Sequence, residues 1–300
     1  MTPSQKTGLA CGIFAYVFWG MTPIYFKQMA GAPALTVLSH RIVGATIILA
    51  LLLQLLRQWP EFRSIFASRR LAAMMIASTV MIAVNWLVFI HCIQQEQVLQ
   101  SALGYYLNPL FTAVLGMVFM GERFRPLQWL ALGFAVVGIA VQLIGTQTLP
   151  GLALLLAVSF GFYGLLRKRA GVGAAPGLLF ETMTLMPLAL LYFAFTIRND
   201  GTGSIIPGGG IMWLWLLLAG PITTLPLLAF NIAAKRLKLT TMGFLQYLGP
   251  SCQFAQALLF NETFHWPQAV MFGLIWIGIA IYCADSIMFT RRQRPATIPE

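Results

Sequence analysis

Charge is what this sequence has least of. Only 9% of its 300 residues are charged, and Asp and Glu number just 8. Globular chains average about 25%. A chain that is 59% hydrophobic lacks the polar coat that a water-facing surface needs, and lipid removes that need. Signatures of catalysis and nucleotide binding are absent too. There is no Walker motif, HExxH, GxSxG or clustered carboxylate pair, and Gly208-Gly209-Gly210 lacks the strand, Lys and Ser/Thr context of a phosphate loop. ATP is therefore not a direct energy source, and no cofactor or metal is expected. Cys11, Cys92, Cys252 and Cys283 are scattered without metal spacing and read as small buried hydrophobes, which excludes a disulfide framework. Asn261-Glu262-Thr263 matches a glycosylation sequon by chance.

The net charge of +11 does not point to nucleic acid. Its basic residues stand between apolar runs, in clusters such as Arg69-Arg70, Arg167-Lys168-Arg169 and Lys235-Arg236, beside anionic headgroups. Ten apolar runs lie near 8–27, 34–56, 71–91, 98–120, 126–145, 149–166, 176–197, 211–233, 240–260 and 267–289. The first follows Lys6 and precedes Ala32-Pro33-Ala34, but it is too long for a signal-peptide core and is kept as span one. With the N-terminus inside, only Lys27 and Arg198 of the 19 Lys and Arg fall in outer segments. Arg41 lies within a span and the remainder are inside, so both termini are expected in the cytoplasm of an inner-membrane, multi-pass protein.

The two halves align at an offset of about 141 residues. Trp19-Gly20 through Lys27 meets Phe160-Gly161 through Lys168, and Tyr106-Leu107-Asn108-Pro109 meets Tyr247-Leu248-Gly249-Pro250. After a one-residue slip, Glu122-Arg123-Phe124 meets Glu262-Thr263-Phe264, and Gly133 and Gly138 meet Gly273 and Gly278. Residues 1–147 and 148–300 thus read as two five-span repeats. Five is odd, so the second copy enters from the opposite side. The fold expected is an all-α membrane protein of ten spans in two inverted repeats, the architecture of alternating-access transporters.

The same stretches carry a family resemblance. Residues 102–110 (ALGYYLNPL), 119–124 (FMGERF), 160–165 (FGFYGL) with Arg167-Lys168, and 243–247 (GFLQY), together with His40-Arg41 and Glu181, resemble the drug/metabolite transporter superfamily, EamA-type permeases of the RarD-like branch. The likeness spans nearly the whole chain. It implies a ten-helix bundle whose central cavity faces each side of the membrane in turn. RarD-type proteins are described as chloramphenicol-sensitivity or resistance permeases, and related branches as exporters of amino acids and other metabolites.

Ionisable groups inside lipid are costly and mark candidate sites. Arg41 is read as an anchor for an anionic substrate group, with a snorkelling or carbonyl-bonded Arg as the alternative. His40 lies about 100° round the helix from it. Glu181 is the candidate for proton coupling, or else a hydrogen-bond hub. Counting 1.5 Å per residue sets Arg41 and Glu181 roughly 11 Å apart along the membrane normal, so no direct salt bridge is expected. Further pathway candidates are Tyr16, Trp19, Asn85, Trp86, Tyr105, Tyr106, Asn108, Tyr163, Gln246, Tyr247 and Gln253, whose polar tips want partners in lipid. As a set they suit a flat or amphipathic organic molecule. Pro109 and Pro250 occupy matched mid-span positions and read as kinks and gates. Asp285 is expected in a surface ion pair with Arg291 and Arg292, and Glu122 and Glu262 in structural roles at matched helix ends. The glycines of spans five and ten serve either the bundle or a homodimer. A permease for a small-molecule substrate, in contact with membrane lipid and not nucleic acid, is the leading expectation. An intramembrane enzyme seeded by Arg41, His40 and Glu181 is the alternative, and a channel is disfavoured by the lack of a charged ring.

Overall fold

The computed structural model describes residues 3–121, 125–147, 149–201, 210–236 and 245–292, which form helices and, among these residues, no strand. The helices are α1 (Pro3–Lys27), α2 (Ala34–Leu56), the short α3 (Trp59–Ser64) followed by a 3-10 turn, and α4 (Arg69–Gln94). Then come α5 (Val98–Met120), α6 (Pro126–Thr146), α7 (Gly151–Ala170), α8 (Ala174–Asp200) and α9 (Gly210–Arg236). The last are α10 (Leu248–Leu259) and α11 (Trp266–Arg292). Nine helices among the described residues are long and apolar enough to cross a membrane. α10 has 12 residues, about 18 Å of helix, and the expected span 240–260 is described only from residue 245. The Glu122-Arg123-Phe124 stretch, Gly208-Gly209 and Gly243-Phe244 lie outside the described residues.

Local chemistry sets the breaks. The Ser68 side chain caps the Leu71 N–H at the start of α4. Gly121 and Gly171 end α5 and α7 with φ of 68° and 66°, a conformation L side chains resist. Short connections make sequential helices antiparallel, so helix ends sort into two groups. At one end Gln94 Nε2 donates to the Met29 and Ala32 carbonyls. There, too, Lys27 pairs with Glu96 at 3.4 Å. At the same end the Glu262 carboxylate accepts from the Val98 and Leu99 N–H groups at 2.7 and 2.9 Å, capping α5 from the α10–α11 turn. Burial pushes the Glu262 carboxyl above its ordinary range, opposed by those two bonds and by Lys27. At the opposite end Arg169 donates to the Phe119 carbonyl, Glu61 accepts from the Gly173 N–H at 2.7 Å, and Arg125 pairs with Asp285.

Helix packing relies on glycine where two backbones approach. A Cβ on Gly44 of α2 would lie 3.1 Å from the Gly220 Cα of α9. On Gly278 of α11 it would lie 2.7 Å from the Ala131 carbonyl of α6, and on Gly138 of α6 it would lie 3.1 Å from the Met271 carbonyl of α11. Gly138 and Gly278 therefore serve the bundle itself. Gly133 and Gly273 meet nothing within 4 Å. The core runs through α2, α4, α5 and α8, where Ala45, Leu49, Ile90, Leu103 and Leu179 are buried. The outer faces carry exposed Leu55, Val136, Ile144, Leu188, Leu191, Leu217 and Leu259, far more apolar surface than a water-soluble monomer presents.

Candidate functional site

α2 aims Arg41 between α1 and α4. Its guanidinium carbon lies 4.1 Å from the Trp86 ring centroid and 5.7 Å from that of Phe26. Its Nε is buried, and Arg41 makes no hydrogen bond or ion pair with a described residue. Stacking on aromatic faces is worth about 0.5–2 kcal/mol, whereas the penalty for taking a charge out of water is several kcal/mol. Arg41 as a whole is half-buried, and the aromatic setting offsets only part of the cost of desolvating its Nε.

The surrounding rings are held in place. Tyr25 OH donates to the Trp215 carbonyl at 2.5 Å. Tyr105 OH donates to Asn85 Oδ1 at 3.3 Å, while Asn85 Nδ2 donates to the Leu156 carbonyl and to Ser159 Oγ at 3.1 and 3.2 Å. Asn85 therefore orients Tyr105 from a fully partnered amide. From Phe26 a row of rings crosses the bundle. Phe26 meets Phe89 at 5.7 Å, Phe89 meets Tyr105 at 5.9 Å, Tyr105 meets Phe160 at 6.0 Å, and Phe160 meets Tyr163 at 5.8 Å. These are the edge and tilted contacts that aromatic quadrupoles favour.

The row ends at Glu181, whose side chain is 0% exposed. Its carboxylate accepts from Ser78 Oγ at 2.5 Å and from Tyr163 OH at 3.3 Å, and Arg167 Nε lies 3.8 Å away. Arg167 also donates to the Gly173 and Ala174 carbonyls at 3.0 and 3.4 Å. Its guanidinium fills the space over Gly177, where a Cβ would come within 1.4 Å of Nη1. Tyr163 and Arg167 are four residues apart on α7, as Gly177 and Glu181 are on α8, so each helix presents one face to the cluster. No ion pair joins Arg41 to Glu181 among the described residues, as the depth estimate required. The cation beside Glu181 is Arg167, which the sequence reading placed among topology determinants. Ser78, Phe89 and Phe160 were missed as well.

The other candidates divide. His40 Nδ1 lies 2.9 Å from the Thr36 carbonyl and its ring packs on Phe193 of α8, apart from Arg41. Tyr16 and Trp19 form a separate aromatic group with Phe230 of α9. Tyr106 OH pairs with Ser251 Oγ at 2.9 Å and Ser101 Oγ donates to Gln253 Oε1 at 2.6 Å, joining α5 to α10. Asn108 accepts from Thr112 within α5 at 3.5 Å. Gln246 is half-buried, and the neighbouring Tyr247 hydroxyl is buried without a hydrogen bond to a described residue. Pro109 lies inside α5, whereas Pro250 stands in the first turn of α10, just after a break at Tyr247. A proline ring clashes with the carbonyl four residues earlier, here Gln246, which accounts for a break in place of the expected mid-helix kink. Asp285 corrects a further expectation. It is 6% exposed, not at the surface, and pairs with Arg125 at the start of α6. The Arg291 and Arg292 side chains lie outside the described residues.

Comparison with known proteins places this geometry in context. The model of the EamA-like transporter family matches twice, over residues 6–144 and 150–283. Protein RarD of Escherichia coli K12 is 41% identical over 96% of this chain and 97% of its own. An uncharacterized transporter of Vibrio cholerae is 41% identical over 99% of both. The chloramphenicol-sensitive protein RarD of Pseudomonas aeruginosa is 30% identical over 95% of this chain and 96% of its own. A solved crystal structure superposes with a TM-score of 0.52 at 18% identity, covering 92% of this chain and 97% of that one, a likeness of fold alone.

Proposed function

The chain belongs to the EamA-like transporter family and is a multi-pass membrane protein, and from that premise we propose that it is a secondary transporter of small organic anions working by alternating access. The observation that carries this reading is Arg41, a guanidinium stacked on Trp86 and Phe26 with its Nε buried and unpartnered. A substrate carboxylate would meet its N–H fork in two parallel, charge-assisted bonds, with the planar body of the substrate against the rings. The row from Phe26 to Tyr163 would be its path toward Glu181. Glu181 is the proton carrier in this reading. It is buried, it is hydrogen-bonded by Ser78 and Tyr163, and its cation is one residue of a neighbouring helix.

The two family matches in tandem support two repeats of five spans, and the Lys and Arg distribution supports inverted copies with both termini in the cytoplasm. The first experiment is a thermal-shift screen of the purified protein against amino acids, aromatic carboxylates and amphenicols, followed by counterflow in proteoliposomes. A stabilising carboxylate that Arg41→Ala no longer feels, and that exchanges labelled for unlabelled molecules, supports the reading. Stabilisation by uncharged compounds alone, unaffected by Arg41→Ala, overturns the anion assignment. Saturable binding without counterflow would favour an enzyme over a carrier.

A further inference from the structure

Away from the aromatic row, a crevice of about 630 Å³ opens where α4 begins and α7 ends, lined by Ser68, Arg70, Leu71, Met74 and Arg169. Its two cations come from different helices. Arg169 is held in place, since it donates to the Phe119 carbonyl and stacks on the Phe119 ring at 5.6 Å. Arg70 is exposed and makes no hydrogen bond or ion pair with a described residue. Among the described residues, no carboxylate lines the crevice. The nearest acidic group in the connection before α4, Glu61, is engaged by the Gly173 N–H. Leu71 and Met74, three residues apart on one face of α4, form an apolar floor that runs from the charged rim down the helix. α4 is one of the helices long and apolar enough to span a bilayer, and it starts at Arg69, so the crevice sits at the charged end of that span.

We propose that this crevice seats an anionic phospholipid, its phosphate between Arg70 and Arg169 and an acyl chain along Leu71 and Met74. Two positive charges, one of them tethered at Phe119, above an apolar slope match the polarity of one lipid molecule, and a zwitterionic lipid would bring its own cation to a rim that already carries two. The proposal rests on the membrane assignment and is independent of the substrate at Arg41.

The test is native mass spectrometry of the full-length protein in detergent, with phosphatidylglycerol or phosphatidylcholine of identical acyl chains added. Phosphatidylglycerol should be retained in preference, and Arg70→Gln and Arg169→Gln should each lower that preference roughly fivefold. Met74→Trp fills the apolar floor while keeping both charges, and should also weaken retention. It keeps the test decisive if an arginine variant fails to fold. Equal retention of both lipids would overturn the proposal, as would retention unchanged in all three variants. Stabilisation by inorganic phosphate equal to that by phosphatidylglycerol would also overturn it, assigning the arginines to free phosphate. None of these outcomes alters a transport measurement made through Arg41.

Discussion

In the proposed mechanism Arg41 binds the anion and Glu181 carries the proton, and each role invites a single substitution. Arg41→Lys keeps the charge but loses the planar fork and the stacking on Trp86. It should weaken carboxylate binding roughly tenfold, and Arg41→Ala roughly a hundredfold, measured by isothermal calorimetry on the purified protein. Glu181→Gln keeps hydrogen-bonding capacity but cannot carry a proton. Accumulation driven by a proton gradient should be lost while counterflow at equal pH persists; loss of both would make Glu181 a structural hub instead. Gly177→Ala should act through Arg167, because the added methyl takes the space of the guanidinium and separates it from Glu181. The guanidinium is the flexible end of its side chain and swings aside, so the variant should lose about 1–3 kcal/mol in unfolding measured in detergent. Arg41 and Glu181 were legible in the sequence as ionisable groups inside apolar runs. Arg167 was not, because it sits in a three-residue basic cluster whose other members follow the positive-inside pattern. Its four-residue spacing from Tyr163 was the available signal, and it has meaning only once the partner helix is known.

At the level of helices, the sequence-derived spans agree with the observed ends to within a few residues where caps and glycines mark them, as at Ser68, Gly121 and Gly171. The short α3 was missed, being six residues in a polar connection. Contacts between helices could not be read from periodicity, since apolar residues cover every face of a helix that meets lipid on one side and protein on the other. The α6–α11 pair illustrates the difference. Gly138→Leu and Gly278→Leu should each destabilise by about 1–3 kcal/mol through backbone overpacking, whereas Gly133→Leu, with open space around it, should leave thermal stability unchanged in detergent. Pro109→Ala restores the donor that α5 lacks. If Pro109 gates the path, transport should fall with folding intact; unchanged flux together with unchanged crosslinking between states would make it a packing feature.

For the molecule as a whole, orientation is open to a direct measurement. A fluorescent-protein fusion at either terminus should fold in the cytoplasm, and an alkaline phosphatase fusion there should be inactive; the opposite result would reverse the assignment made from Lys and Arg. With exposed apolar side chains around the bundle, Leu55, Ile144 and Leu191 among them, the charged side chains of the described residues gather at its two ends and at the two limits of one interior row of rings. That row has an optical consequence. Trp86 lies directly against the Arg41 guanidinium, so an anion that docks there changes the field at one indole in a protein with 8 tryptophans. Subtracting the emission of Trp86→Phe from that of the parent protein would isolate this signal. Substrate occupancy could then be followed in real time, without a label, from the colour of a single residue.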